Sequence, residues 1–173
     1  MTPILIQLLL AAALGASAKP SVIDASFEVL LPAGWEMERR GGGAVFTGPS
    51  AEGIPALISV RYVRPDDPQD RTPKEYMDRL TRTSSIPLKG WKDGPVREIT
   101  AAGRKALRVE RDTTQTAAPR SLEARTVALR EEHVAVTAAK GFYLLVYTAP
   151  RSIDKAQRAV FRAFGDKGFK PKL

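Results

Sequence analysis

The single histidine, His133, follows two carboxylates in Glu131-Glu132-His133. A hydrolytic triad would need a positioned serine as well, and no Gly-x-Ser-x-Gly marks one. A metal site fails on geometry: neighbours on an extended strand point to opposite faces, so Glu131 and His133 are the only same-side pair. His133 therefore reads as a solvated strand position. Gly43-Ala44-Val45-Phe46-Thr47-Gly48-Pro49-Ser50 has the outer spacing of a phosphate-binding loop, but Pro49 stands where the lysine must be. Asp66, Asp67 and Asp70 resemble a calcium loop only until Pro68 breaks the spacing. They read as a solvated acidic connection that favours the positive N-terminus of the next helix. The sequence thus assigns no catalytic residue, no cofactor and no metal ligand.

The residues suited to contact are of another kind. Trp91, in Lys89-Gly90-Trp91-Lys92, has no periodic context that would bury it, and tryptophan is enriched at binding hot spots. Trp35 ends a strand and fills the sheet's edge. Lys155, Arg158 and Arg162, continued by Lys167, Lys170 and Lys172, form a basic stripe relieved only by Asp154 and Asp166. It is a candidate docking surface, set against the plainer reading of a covering helix's solvated face. Lys155, Arg158, Arg162 and Trp91 are the candidate partner-binding residues.

These side chains need a frame, which centres on Gly141-Phe142-Tyr143-Leu144-Leu145-Val146-Tyr147-Thr148. Without alternation, the run reads as a central strand covered on both faces. Phe142, Leu144 and Val146 should meet one layer, Tyr143, Leu145 and Tyr147 the other. A helix over residues 152–164 follows, with Ile153, Ala156, Val160, Ala163 and Phe164 on its apolar face and the basic stripe opposite. Upstream, strands are expected over residues 27–31, 35–38, 44–47 and 56–63, with a hairpin over the three glycines at 41–43 and a stop at Gly48-Pro49. Thr72-Pro73-Lys74-Glu75 is a capping box with proline at the first helical position, predicting a helix to about Thr83. Extended pieces follow over 96–100 and 106–111, then a polar loop over 112–121. Residues 122–140 read as one extended region whose phase changes between Val127/Leu129 and Val134/Val136, which predicts a bulge or turn over 130–133. Residues 19–24, the 112–121 loop and the tail 167–173 are the expected disordered tips.

Residues 4–14 form an apolar run followed by Ala16-Ser17-Ala18, the pattern of a secretory signal peptide over residues 1–18. One domain over residues 19–173 is expected, monomeric and with no membrane span after cleavage. Cysteine is absent, which removes disulfides, thiolate sites and a lipoprotein anchor, and asparagine is absent too. The abundance of arginine suggests a GC-rich bacterial genome, and the leader pattern then implies a periplasmic or extracellular location. The net charge of +8 favours anionic envelope components or acidic proteins. Nucleic acid is a poor partner, because the basic residues are spread among acidic ones without a stacking platform.

Phe27-Glu28-Val29-Leu30-Leu31-Pro32-Ala33-Gly34-Trp35, the strand over 56–63, the tyrosine-bearing helix after it, and the 141–148 strand with its Phe161/Phe164 helix together resemble the PsbP-like superfamily. That fold is shared by a Ran-binding nuclear-import factor and by bacterial envelope proteins of the DcrB type. The resemblance implies an α+β protein, an α/β/α sandwich with a twisted, mostly antiparallel sheet, and binding in place of catalysis. It transfers no site residue. A secreted, non-enzymatic accessory domain is therefore expected. The alternative is an envelope hydrolase using carboxylates or hydroxyls, whose mark would be a paired-carboxylate cleft. The sequence shows no two acidic residues on buried strand positions to make one.

Overall fold

A computed structural model describes residues 21–23, 25–82, 89–118 and 124–173; the expected leader lies outside them. In chain order come β1 (Ser21–Ile23), β2 (Phe27–Val29), β3 (Glu36–Arg40), β4 (Gly43–Ala51), β5 (Ile54–Val63) and helix α1 (Pro73–Leu80). Then follow β6 (Lys92–Asp93), β7 (Arg97–Ala101), β8 (Arg104–Ala117), β9 (Arg125–Thr137), β10 (Phe142–Pro150), α2 (Asp154–Ala163), a π turn (Phe164–Gly168) and β11 (Phe169–Pro171). The class is α+β. The main sheet has the order β3-β4-β5-β10-β9-β8-β6, with β7 also paired to β8, and its pairings are antiparallel.

β10 lies between β5 and β9 and is buried on both sides, as its unbroken apolar run requires. Phe142 and Leu144, with Val146 beside them, pack with Tyr76 and Met77 of α1, while Tyr143, Leu145 and Tyr147 pack with Phe161 and Phe164. The two parities thus carry two separate cores. Gly141 begins the strand at φ +68, and a Cβ there would lie 2.2 Å from the Val63 carbonyl oxygen, so glycine is required. Thr72 caps the helix as the sequence predicts, its Oγ1 accepting from Glu75 N at 3.1 Å, while Glu75 Oε2 reaches one residue past the cap to accept from Arg71 N at 2.8 Å. α1 stops at Leu80, short of the expected Thr83: Thr81 caps it at φ −96 and ψ 5, its amide closing the last helical bond to the Met77 carbonyl and its hydroxyl adding a second.

Several expectations are corrected. β4 runs through Gly48-Pro49 to Ala51 with a register shift between Thr47 and Ser50. The buried Trp35 ring sits against Gly48, where a Cβ would lie 2.6 Å from it. Residues 112–117 continue β8, paired residue for residue with β9, which itself runs without a bulge. The apparent phase change has another cause: Val127 and Leu129 join Ile54 and Ala117 in a satellite cluster, Val134 and Val136 join the larger core, and the residues between are polar groups of which Glu132 and His133 are buried. The described part of the amino-terminal tip and the tail are ordered too, as β1 and β11 flanking β2 in a second, three-stranded sheet. The tail is held by Tyr143, whose hydroxyl accepts from Leu173 N at 2.8 Å and donates to the Ser26 carbonyl at 2.9 Å.

Candidate functional site

The register of β8 on β9 sets His133 against Val109, Glu132 against Glu110, Glu131 against Arg111 and Arg130 against Asp112. Alternation sends Glu131 and His133 toward α1, and Glu132 with Glu110 toward α2.

On the α1 side the polar groups are joined in a chain. Tyr76 Oη lies 2.7 Å from His133 Nδ1, His133 Nε2 lies 3.2 Å from Glu131 Oε2, and Thr113 Oγ1 donates to Glu131 Oε1 at 3.0 Å. Burial pushes the Tyr76 hydroxyl up to about 12, so it stays protonated; the Glu131 carboxylate only accepts, so Nε2 carries the hydrogen toward it, and in that tautomer Nδ1 accepts from Tyr76. Burial also pushes Glu131 upward, but the hydrogen bonds from His133 and Thr113 and the charge of Arg111 outweigh it and hold the carboxyl below its usual range. Arg111 donates to Asp93 at 2.5 Å and lies beneath the Trp91 ring, 5.4 Å from its centroid. His133 is only 7% exposed, which corrects the expected solvated position. Its same-side pairing with Glu131 is as expected. Asp70 is likewise buried, held by Arg79 Nε at 2.9 Å, so the connection before α1 is not wholly solvated.

On the α2 side the polar groups form an ion cluster. Arg158 Nη1 lies 3.3 Å from Glu110 and its Nη2 3.0 Å from Asp154, while Arg162 Nη2 lies 3.3 Å from Glu110 and 3.5 Å from Glu132 Oε2. Arg108 approaches Glu110 at 3.9 Å and Glu132 Oε1 at 3.8 Å, both too long for hydrogen bonds. Glu132 is 1% exposed, and its Oε2 accepts no hydrogen bond. Burial raises its pKa, with the Glu110 charge adding to the rise and Arg162 and Arg108 opposing it.

These contacts correct the orientation of α2. Ile153, Val160 and Phe164 pack on the core as expected, but Ala156 and Ala163 are exposed and Asp154 and Phe161 turn inward in their place. Tyr147 sets this rotation: its ring stacks on Phe161 at 5.3 Å and its hydroxyl donates to the Asp154 carbonyl at 3.2 Å. Arg158 and Arg162 accordingly reach toward the sheet's carboxylates, Arg158 largely covered and Arg162 still half exposed along the groove. Lys155 is exposed, as expected. Trp91 is 44% exposed, but it sits with Arg111 on the α1 side, so the structure does not bring it together with the basic helix residues. Sequence reasoning missed the Glu110/Glu132 pair, a buried carboxylate facing a partly buried one across the strands. The available signal was that Glu132 shares its parity with Val134 and Val136.

Two clefts open on the α2 side and share Arg108. The first, of about 260 Å³, is walled by Lys92, Arg97 and Arg130 with Glu110 and Asp112; the second, of about 190 Å³, runs under α2 over Glu132. Among the described residues no group of three His, Asp or Glu is placed to hold a metal ion, and no helix is long and apolar enough to cross a membrane.

No family model and no curated protein matches this chain. Solved structures do. LpqN of Mycobacterium tuberculosis, described as involved in cell envelope biogenesis, is 11% identical over 92% of this chain and 87% of its own, with a TM-score of 0.53. Cyanobacterial PsbP (CyanoP) of Synechocystis is 10% identical over 95% of this chain and 99% of its own, with a TM-score of 0.51. A Bacteroides thetaiotaomicron protein is 9% identical over 91% of this chain, which spans half of that protein's length, with a TM-score of 0.52. At such identities the likeness is one of fold, and the fold is PsbP-like.

Proposed function

We propose that this chain is a monomeric, non-enzymatic binding domain of the cell envelope, that its two-helix cover makes an α/β/α sandwich, and that it meets an anionic partner surface through the groove beside α2. The observation that carries the reading is the first cleft, where Lys92, Arg97, Arg108 and Arg130 face only Glu110 and Asp112. Lys155, Arg158 and Arg162 extend it along the helix, and Trp91 offers a separate contact on the other side of the sheet. The leader pattern at residues 1–18 and the description of LpqN support the compartment. Exposed charges of this kind act mainly through association rate and salt dependence. Replacing Lys92, Arg97 and Lys155 by Gln should weaken capture on phosphatidylglycerol vesicles at low salt several-fold more than replacing Arg39, Lys105 and Lys140. Equal losses from the two triples would reduce the effect to net charge and remove the groove's role.

A second reading, an envelope hydrolase, is favoured by one observation: Glu110 and Glu132 lie cross-strand with Glu132 raised by burial, the condition of a general acid. Hydrolysis of cell-wall glycan that Glu132→Gln abolishes would establish that reading in place of the first.

A further inference from the structure

The second cleft holds two unfilled partners side by side. Glu132 Oε2 is fully buried and accepts no hydrogen bond. Arg108, three-quarters buried, has its carboxylate neighbours at 3.8 and 3.9 Å, beyond hydrogen-bond reach. A buried acceptor left in this state costs free energy that a ligand would recover, and the Arg108 fork, about a fifth exposed, opens on the cleft with no protein acceptor among the described residues within hydrogen-bond reach. The cleft's other walls are apolar: Ile99, Val134, Leu145 and Phe161.

One functional group satisfies both polar partners at once. A carboxylic acid presents an oxygen to the Arg108 fork, for which planar carboxylates are the matching shape. It also forms a hydrogen bond with the Glu132 carboxyl, which lines the cleft, if the two carboxyls share one proton between them. We propose that this cleft binds a small apolar monocarboxylic acid, its carboxyl between Arg108 and Glu132 and its hydrocarbon body against Ile99, Val134, Leu145 and Phe161. The volume of about 190 Å³ equals the liquid volume of roughly six waters, enough for a short chain and too small for a drug-sized ligand. The charged and titratable groups facing Glu132 are Arg108 and Glu110 from β8, Arg158 and Arg162 from α2, Asp166 from the π turn and Tyr147 from β10. With Glu110 and Glu132 both ionised, a third carboxylate would be repelled, so binding draws one proton into the site. This inference does not depend on whether the groove docks a partner.

Isothermal titration of the full mature domain with hexanoate, and with hexanol as the uncharged control, tests it. Saturable 1:1 binding of hexanoate is expected, with hexanol at least tenfold weaker. Hexanoate affinity should fall as pH rises from 5.5 to 8.5, approaching tenfold per pH unit, the limit for one proton taken up. Glu132→Gln should flatten that dependence. Arg108→Lys, which keeps the charge and loses the fork, should weaken binding at least fivefold with an unchanged thermal melt. Hexanol binding as tightly as hexanoate, a wild-type affinity independent of pH, or an Arg108→Lys variant of undiminished affinity would each overturn the proposal.

Discussion

Glu131 and Glu132 are consecutive residues of one strand, yet their surroundings push them in opposite directions. Glu131 is held by hydrogen bonds from His133 and Thr113, and its pKa falls in spite of burial. Glu132 has three arginines near it but no hydrogen bond at Oε2, and its pKa rises. The lesson is that directed donors within reach stabilise a buried charge, whereas guanidiniums at 3.5 to 3.8 Å only partly offset its desolvation. The α1 side of the sheet is a completed polar network. The α2 side is an incomplete one, which is the condition in which a ligand finds something to bind.

The largest test concerns the strand that serves both sides. Leu144 packs toward α1 and Leu145 toward α2, each within a separate buried cluster. Leu144→Ala and Leu145→Ala should each destabilise by roughly 2 to 5 kcal/mol in urea denaturation, as cavity-forming truncations do. A cost below about 1 kcal/mol for one of them would mean that its side of the sheet is not a packed layer.

The next test breaks the completed network. Tyr76→Phe removes the donor to His133 Nδ1 and leaves a buried acceptor unpaired, which should cost about 1 to 3 kcal/mol. Glu131→Gln should cost a similar amount at neutral pH, because His133, Thr113 and Arg111 lose their shared charged partner. If either variant unfolds at the wild-type midpoint, the chain of contacts from α1 to β8 does not contribute to stability.

The two sides also differ in how much of them the sequence disclosed. β10 was legible because six apolar or aromatic residues in a row leave no solvent face, and α1 because Thr72 and Glu75 mark its start in local chemistry. His133 and Glu132 were not legible, because a polar residue on a strand is read as outward unless its partner is known. Tyr76 and Arg162, the groups that reach them, lie on helices distant in the sequence. The rotation of α2 has the same origin. Ala156 and Ala163 looked buried along with Ile153, Val160 and Phe164, but Asp154 and Arg158 turn inward because Tyr147 donates to the first and Glu110 accepts from the second. β1 and β11 were missed because three-residue strands carry no period and take their order from pairing with β2.

The smallest expected effect distinguishes the two glutamates most sharply, because it predicts opposite signs. The depressed pKa of Glu131 contributes stability that is present above the unfolded carboxyl value, about 4.3, and is lost as pH falls through the folded value. The raised pKa of Glu132 does the reverse: its favourable contribution is complete below the unfolded value and is lost as pH rises through the folded one. Glutamine imitates the neutral acid at both positions. Glu131→Gln should therefore lower stability at pH 7 by an amount that shrinks as pH falls toward 3. Glu132→Gln should lie within about 1 kcal/mol of the wild type at pH 4 and gain on it as pH rises to 7, since replacing one buried charge relieves a desolvation cost while Arg158 and Arg162 keep Glu110. Denaturant midpoints measured from pH 3.5 to 8 for the two variants should diverge with rising pH. Parallel curves would mean that Glu132 is as well satisfied as its neighbour, and the cleft above it would then lose the unfilled acceptor on which its ligand depends.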